Sequence, residues 1–324
     1  MIYALALTGP TASGKTAVSI EVAKALGCEI ISLDSMQIYR GMDIGTAKAT
    51  SAEQAQVPHH LIDLIPPNES FSAKAYRARA LATAGEISER GKIPLFVGGT
   101  GLYLTTLIRP ECEEVPESRQ EYREAVLSSI VTEGDRIRLW ERLREVDAES
   151  AEMIHYNNIK RVIRALEIYD ATGKTKTYFD SLTKRRSDDI SIIHVTLDFH
   201  SREQLYKRVD KRVDEMMNEG LVEEVIRLKS QGYLDESTTA AQAIGYKEIL
   251  RALDMGASMN DAAEEIKQAS RNYAKRQLTW FRHDADAAHV FRDREDGSLK
   301  PLCELKEEIL NIFGEIKNAG YTDK

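Results

Sequence analysis

Residues 9–16 are the stretch that most constrains what this chain can fold into. They read Gly-Pro-Thr-Ala-Ser-Gly-Lys-Thr and directly follow an apolar run at residues 2–7. Glycine, four residues and then Gly-Lys-Thr is the spacing of a phosphate-binding loop. The apolar run predicts a buried strand, and residues 17–26 have a helical pattern that stops at Gly27. The loop is therefore predicted to lie between a strand and a helix, as the motif requires.

Each part of this loop has a physical role in holding a diphosphate or triphosphate. Glycines let consecutive backbone N–H groups point at one anion, and the start of a helix adds unpaired donors and a favourable dipole. Lys15 would neutralise phosphate oxygens, and the Thr16 hydroxyl would hold a magnesium ion that bridges them. A glycine-rich turn that matches by chance is the alternative. The predicted phosphate contacts are Gly9, Pro10, Thr11, Ala12, Ser13, Gly14, Lys15 and Thr16.

The composition is that of an ordinary globular protein, with 42% hydrophobic and 30% charged residues in a chain of 324. No apolar run approaches the roughly 20 residues needed to cross a bilayer. The first seven residues lack a charged leader, so we expect a strand rather than a signal peptide, and a cytoplasmic protein. Cys28, Cys112 and Cys303 are far apart without metal-binding spacing, so we expect reduced thiols.

The formal net charge of −8 conceals a local basic segment. Residues 158–186 hold eight basic and three acidic residues, a net charge of +5, whereas residues 111–150 hold twelve acidic and six basic residues, a net charge of −6. Opposite signs in neighbouring helical stretches predict one surface that faces an anion and another that faces solvent.

Strand and helix patterns alternate in the first third of the chain and return after residue 188. Buried strands are predicted at residues 29–33, 93–97 and 190–198, with a shorter candidate at 59–63. Residues 110–187 show only helical patterns, at 118–131, 135–146, 149–154 and 158–171. We therefore predict an α/β fold: a parallel sheet with flanking helices, like that of P-loop NTPases, from residues 1–109 and 188–324, with a helical subdomain inserted at 110–187.

Two polar segments follow predicted strands and should meet where parallel strands end. Asp34 ends the second strand, where it could be a general base, an indirect magnesium ligand or only a turn cap. Glycines at 98–101 would let the backbone approach a ligand beside Thr100, although a tight turn also explains them. The strands that end at Asp34 and Asp198 both resemble the acidic strand that many NTPases use for magnesium.

Two long helices in the last third carry basic residues. The first is predicted from an N-cap at Ser201 to about residue 219. Its apolar residues are expected to face the core and most of its charges to face solvent, although an arginine near the phosphate loop would suit a pyrophosphate. The second, residues 261–280, alternates basic residues with Tyr273, Trp280 and Phe281. Such alternation fits RNA, because cations meet phosphates and rings stack on bases, but a surface helix with a buried aromatic stripe fits equally well.

Seven motifs, taken together and in order, resemble the tRNA dimethylallyltransferase family, also called tRNA isopentenyltransferases, of the bacterial type. They occupy residues 9–16, 34–48, 58–63, 98–103, 161–167, 243–248 and 275–282 and span nearly the whole chain. One departure is Lys160, where the family usually has glutamine or arginine. The chain also lacks the paired cysteines and histidines of the zinc finger that eukaryotic relatives append.

The resemblance implies transfer of a dimethylallyl group from dimethylallyl pyrophosphate to the exocyclic N6 amine of the adenosine just 3′ of the tRNA anticodon. The phosphate loop and Mg²⁺ would stabilise the departing pyrophosphate. Thr100 and Arg212 would add pyrophosphate contacts, and Asp34 would accept the amine proton as general base. The implied catalytic residues are thus Asp34, Thr100 and Lys15, with Thr16 as the metal ligand.

The reacting adenine must leave the stacked anticodon loop to enter the site. The resemblance implies that the helical subdomain binds the anticodon stem and supplies local positive charge. We expect a monomer. The implied tRNA contacts are Asp34, Ser35, Met36, Gln37, Thr100, Arg123, Lys160, Arg161, Val162, Ile163, Arg164, Gln242, Ile244, Gly245, Tyr246, Lys247, Lys275, Arg276, Gln277, Thr279, Trp280 and Arg282.

Two other functions share the phosphate loop. A small-molecule kinase could hold ATP there and use Asp34 as its base, but it would need only a short lid rather than a helical insert with a basic segment. A regulatory NTPase that binds RNA could respond to nucleotide without chemistry on a second substrate.

Overall fold

The computed structural model describes residues 1–109, 115–116, 118–182, 186–235 and 238–318, without the side chains of 316–318. Cys112, Lys184, Arg185 and the predicted tail beyond residue 318 lie outside the described residues. The chain forms two compact units, Met1–Leu107 with Asp188–Lys324 and Ile108–Ser187. We call them the core unit and the helical unit.

The core unit is built on a parallel six-stranded sheet, which confirms the predicted α/β class. Continuous apolar runs form its central strands because helices cover both faces of such a sheet. Thr8 pairs in register with Gly98 on one side and with Thr196 on the other, so the carboxyl ends of these strands are level. The strands are β1 (Ile2–Thr8), β2 (Cys28–Leu33), β3 (His59–His60), β4 (Ile93–Gly98), β5 (Ile190–Asp198) and β6 (Ala288–Phe291), in the spatial order β3-β2-β4-β1-β5-β6.

Helices of the core unit pack on the sheet and beside it. None of the helices in the described part of the chain combines the length and apolar character needed to span a membrane. The helices are α1 (Lys15–Leu26), α2 (Ser51–Gln54), α3 (Ala73–Glu89) and α4 (Gly101–Ile108), and later α10 (Arg202–Asn218), α11 (Leu221–Ser230), α12 (Tyr246–Met255), α13 (Met259–Arg282) and α14 (Leu302–Asn318).

A second cluster of buried apolar side chains joins α10, α11 and α12 to the loop that follows β2. The carboxylate of Glu224, a buried residue of α11, lies within it. One oxygen accepts from the backbone N–H groups of Asp43 (3.0 Å) and Ile44 (2.9 Å), and the other accepts from the Gly45 N–H (3.3 Å) and the Tyr246 hydroxyl (2.5 Å). This carboxylate therefore fixes residues 43–45 against α11 and α12.

The helical unit has its own small core, which includes Leu143, Ile154 and Leu166. Val162 and Ile163 are 0% and 2% exposed. Their side chains pack in the core of this unit, and the tRNA contact of these two residues stays a prediction. The helices are α5 (Gln120–Ser128), α6 (Glu133–Val146), α7 (Ala148–Met153), α8 (Ile159–Thr172) and α9 (Lys176–Leu182).

Several short elements differ from the sequence predictions. Helices α2, α4, α9, α11 and α12 and strand β6 were not predicted, and none of them is longer than ten residues. The strand predicted at 59–63 comprises only His59–His60. Helix α6 starts earlier than residue 135 because Thr132 and Asp135 form a capping box before it.

The contact of Tyr246 with Glu224 yields a stability prediction. Replacing Tyr246→Phe removes one of four donors to a buried carboxylate and should lower the free energy of unfolding by about 1–3 kcal/mol. Urea unfolding followed by circular dichroism measures the change. Tyr3→Phe is the control, because Tyr3 is exposed and should change stability by less than about 0.5 kcal/mol. Equal stability of the two variants would contradict a structural role for this carboxylate.

Candidate active site

The loop at residues 9–16 connects β1 to α1, as predicted. Gly14 has φ = 90°, a left-handed conformation at the N-cap of α1 that side chains disfavour. The Lys15 Nζ folds back across the loop and donates to the Gly9 carbonyl (2.9 Å) and the Pro10 carbonyl (2.7 Å). The lysine thus lies against the loop backbone, where an anion on the loop would meet its charge.

A cavity of about 410 Å³ opens beside this loop. One wall is a face of α13 formed by Ile266, Ser270, Tyr273 and Gln277. These residues are spaced four, three and four apart, a helical period that could have identified this wall from the sequence. The predicted site residues that line the cavity are Thr11, Ala12, Gly14, Lys15, Thr16, Asp34, Ser35, Met36, Gln37, Arg212, Gln242, Ile244, Gly245, Arg276 and Gln277.

Asp34 caps the turn after β2, which is one of the roles considered for it. Its Oδ1 accepts from the Met36 N–H (2.8 Å) and, more weakly, from the Gln37 N–H (3.4 Å), so it caps the turn after β2. Within the described residues, Oδ2 has no hydrogen-bond partner. Because Asp34 lines the cavity, this second oxygen is available to accept a proton there.

Thr100 lies behind this turn rather than in the cavity lining. Its Oγ1 accepts from the Ser35 N–H (3.1 Å), and its backbone N–H donates to the Leu33 carbonyl (3.1 Å). Both contacts join Thr100, the second residue after β4, to the residues on either side of Asp34. Thr100 therefore holds the end of β2 in place in this structure.

The electrostatics of the cavity suit an anion. Burial and, to a smaller extent, the nearby charge of Arg212 lower the pKa of Lys15 to about 7, while the charge of Asp34 opposes this shift. Burial also lowers the pKa of Arg212, again against the opposing charge of Asp34. Two buried cations that repel each other would be stabilised by a multiply charged anion between them.

Helix α10 presents two kinds of charge, as its periodicity predicts. Lys207 and Lys211 are exposed and pair with Glu203 and Glu215 on the same helix. Arg212 lines the cavity, and Arg208, which the sequence reasoning did not single out, donates from Nε to the Ala12 carbonyl at 2.7 Å. Arg208 thus supports the phosphate loop, and Arg212, one turn later on α10, faces the cavity.

The cavity wall carries oxygen atoms of the kind that magnesium prefers. No group of three or more His, Cys, Asp or Glu side chains in the described residues could hold a metal by itself. The hydroxyl of Thr16 and the carboxylate of Asp34 are hard oxygen ligands on the cavity wall. Mg²⁺ commonly uses one or two such protein ligands together with phosphates and water.

Asp198, the other candidate acidic residue, is fully occupied. It is 2% exposed and accepts from the Arg282 guanidinium at 2.6 Å, from the Phe199 N–H at 2.6 Å and from His289 at 3.1 Å. Asp198 therefore forms a structural ion pair with Arg282, a residue that was predicted to contact tRNA.

The remaining predicted RNA contacts of the core unit fall into two groups. Lys247, Lys275, Thr279 and Trp280 are exposed, and the Arg276 guanidinium lies 5.6 Å from the centre of the Tyr273 ring. Tyr246 is 0% exposed and its hydroxyl donates to Glu224, so its side chain has a structural role, and the tRNA contact of this residue stays a prediction. Phe281, also considered as a stacking ring, is buried in the core.

In the helical unit, the predicted contacts are exposed only in part. Lys160 and Arg161 are exposed at the start of α8. Glu167, which is completely buried, pairs with Arg164 at 2.7 Å and with Arg123 at 3.2 Å. Arg123 therefore joins α5 to Glu167 on α8, whereas Arg164 pairs with Glu167 within α8.

Comparison with known proteins identifies relatives over nearly the whole chain. A family model described as IPP transferase matches residues 37–284. A tRNA dimethylallyltransferase of Caldanaerobacter subterraneus subsp. tengcongensis is 44% identical over 318 residues, which are 98% of this chain and 99% of the relative.

Two solved structures are similar to this one. The tRNA delta(2)-isopentenylpyrophosphate transferase of Staphylococcus epidermidis is 39% identical, with a TM-score of 0.69 over 97% of this chain and 99% of that one. A eukaryotic dimethylallyltransferase acting on tRNA is 28% identical, with a TM-score of 0.73 over 90% of this chain and 74% of that one.

The phosphate loop, the carboxylate beside it and the inserted helices are thus found together with full-length sequence similarity. The matched residues include the wall formed by α13 and the exposed start of α8. From the site and these similarities together, we conclude that this chain belongs to the IPP transferase family.

Proposed function

We propose that this chain transfers a dimethylallyl group from dimethylallyl pyrophosphate to the exocyclic N6 amine of the adenosine 3′-adjacent to the tRNA anticodon, releasing pyrophosphate. The observation that carries the proposal is a carboxylate oxygen of Asp34 without a partner among the described residues, in the same cavity as Lys15, Thr16 and Arg212. Relatives named tRNA dimethylallyltransferase support this activity.

Departure of pyrophosphate places negative charge on the oxygen that leaves the allylic carbon. The backbone N–H groups at the start of α1 and the cations of Lys15 and Arg212 would bind that charge. These groups are already in place around the cavity and need little reorganisation as the charge develops. Lys15 would then exchange its carbonyl partners for phosphate oxygens.

The attacking amine gains positive charge as its nitrogen bonds to the allylic carbon, and it must lose one proton. Asp34 would accept this proton on Oδ2, while the two N–H groups on Oδ1 keep the carboxylate oriented. The product is an alkylated neutral amine. The charge on Asp34 also favours the allylic cation character that builds as the carbon–oxygen bond breaks.

We further propose Mg²⁺ as the metal of this site, with Thr16 as its protein ligand. When bound, the ion would neutralise part of the charge on the pyrophosphate oxygens. Thr100 is proposed to act through the backbone of Ser35, next to Asp34, rather than through direct contact with pyrophosphate.

For tRNA, we propose that the exposed cations of the helical unit, Lys160 and Arg161, meet the phosphates of the anticodon stem. In the core unit, Lys275, Arg276 and Trp280 would contact the anticodon loop through charge and stacking. Because tRNA is the proposed acceptor, we propose that the protein acts in the cytoplasm.

The family membership supports prenyl transfer over a small-molecule kinase or a regulatory NTPase. Incubation with radiolabelled dimethylallyl pyrophosphate and unmodified tRNA distinguishes these three functions. Label in the tRNA supports prenyl transfer. Consumption of ATP that depends on a small acceptor, or nucleotide binding without either reaction, would overturn it.

Asp34→Asn should lower the single-turnover rate of transfer by about 10²-fold to 10⁴-fold, because an amide cannot accept the amine proton. The dissociation constant of tRNA should change less than about twofold, since no RNA phosphate binds to a carboxylate. Asp254→Asn is the control, a surface carboxylate that pairs with Lys229. A normal single-turnover rate in the Asp34 variant would exclude the base role.

Lys160→Ala with Arg161→Ala should weaken tRNA binding uniformly and flatten its salt dependence, by about one unit of slope per lost phosphate contact. Affinity measured at several salt concentrations gives the slope. The matched control is Lys207→Ala with Lys211→Ala, which also removes two exposed cations. If both double variants keep the original slope, the start of α8 does not meet RNA phosphates.

Binding of inorganic pyrophosphate should be accompanied by proton uptake at Lys15. Its pKa of about 7 in the free protein leaves it partly neutral above that pH, and the anion would raise the pKa. Well below pH 7 the lysine is charged in both the free and the bound state, and no proton is taken up. As the pH rises through 7 the uptake grows to as much as about one proton, and the affinity for pyrophosphate falls.

Calorimetry at pH 8 in buffers of different ionisation enthalpy counts these protons. Lys15→Arg is the control, because a guanidinium stays charged and reports only the protons that pyrophosphate itself exchanges. Equal proton counts for the two proteins would show that Lys15 is already charged before the anion binds.

A further inference from the structure

Gln277 is a buried polar residue whose side-chain oxygen and nitrogen both form hydrogen bonds within the protein. It belongs to α13, within one of the motifs from which tRNA contact was predicted, yet it is 6% exposed. Its Oε1 accepts from the Thr11 N–H at 2.8 Å, and its Nε2 donates to the Gly99 carbonyl at 2.9 Å. The side chain therefore bridges the phosphate loop and the turn after β4.

The two backbone groups that Gln277 joins depend on it. Among the described residues, neither the Thr11 N–H nor the Gly99 carbonyl has a second hydrogen-bond partner. A Cβ on Gly99 would lie 2.1 Å from the Gln277 Nε2, so only glycine permits this approach. An unpaired buried backbone group is costly, and a bridge that satisfies two of them is strongly favoured.

The bridge continues from the turn to the proposed base. Thr100, the residue after Gly99, binds the Leu33 carbonyl through its N–H and the Ser35 N–H through its hydroxyl. Leu33 and Ser35 flank Asp34 on either side. A continuous set of short hydrogen bonds thus runs from the phosphate loop through Gln277 and Thr100 to the backbone that carries Asp34.

We infer that Gln277 is a positioning residue that sets the phosphate loop at a fixed distance from Asp34, and that it does not itself contact tRNA. Its role in catalysis rests on the proposed function, because that function requires the leaving group and the base to flank one reacting carbon. Displacement by even a fraction of an ångström lowers the population of reactive geometries. Its role in shaping the phosphate loop does not depend on which reaction follows.

Gln277→Met tests the inference, since methionine has similar length and volume but neither donates nor accepts a strong hydrogen bond. The dissociation constant of inorganic pyrophosphate should rise about tenfold, because one lost hydrogen bond to a buried group has roughly that effect. At saturating substrates kcat should also fall, while the dissociation constant of tRNA changes less than about twofold. Gln268→Met is the control, an exposed glutamine of the same helix that pairs with Asn272.

A second variant, Gln277→Glu, keeps the acceptor for Thr11 and loses the donor to Gly99. Amide exchange at Thr11, followed by NMR, should stay slow in this variant and become faster in Gln277→Met. If the methionine variant fails to fold, amide exchange at Thr11 in this variant still tests the bridge: slow exchange supports the contact with Thr11, and exchange faster than in the wild-type protein would contradict it.

Two results would overturn the inference. Weaker tRNA binding with unchanged pyrophosphate affinity would make Gln277 an RNA contact, and a lower melting temperature with both affinities unchanged would leave it a purely structural residue. Failure of the proposed function has a different signature: the wild-type protein would leave tRNA unlabelled although Gln277→Met still weakened pyrophosphate binding, and the bridge to the phosphate loop would stand.

Discussion

The loops around the cavity depend on buried polar side chains that satisfy backbone groups. Loop N–H and C=O groups that leave water need partners, and a parallel sheet supplies none beyond the ends of its strands. Gln277 provides them for Thr11 and Gly99, and Glu224 provides them for residues 43–45. The shape of the cavity therefore follows from a few hydrogen bonds between helices α11 and α13 and loops that are distant from them in sequence.

The same loops and helices place two cations and a carboxylate close together in the cavity. Lys15 and Arg212 are buried beside the phosphate loop, and Asp34 lies close enough to shift the pKa of both. In the absence of a bound anion the charged form of Lys15 is disfavoured, first by burial and then by the nearby Arg212, and its pKa is lowered. In the proposed reaction, bound pyrophosphate would stabilise the charged forms of these two cations, and this stabilisation would contribute to its affinity.

The long periodic elements could be predicted from the sequence, and the short ones could not. The sequences of β1, β2, β4 and β5 were apolar enough to indicate buried parallel strands, and the long helices α10 and α13 had clear helical periods. Elements such as β6 and α12 are only four and ten residues long, so tertiary packing decides their conformation. The motif at 243–248 was assigned to RNA as one segment, whereas Tyr246 within it supports a buried carboxylate.

The sequence by itself determined the phosphate loop, the α/β class and the exposed positions of basic side chains, because these depend on local spacing and on periods of two or 3.6 residues. It also determined that Asp34 would stand at a strand end. Only the tertiary structure decided which polar residues face the cavity and which satisfy the backbone behind it. Gln277 and Lys275 are two residues apart on one helix, yet Gln277 is buried and Lys275 is exposed. The hydrogen-bond partners of Gln277, Thr11 and Gly99, are far from it in the sequence.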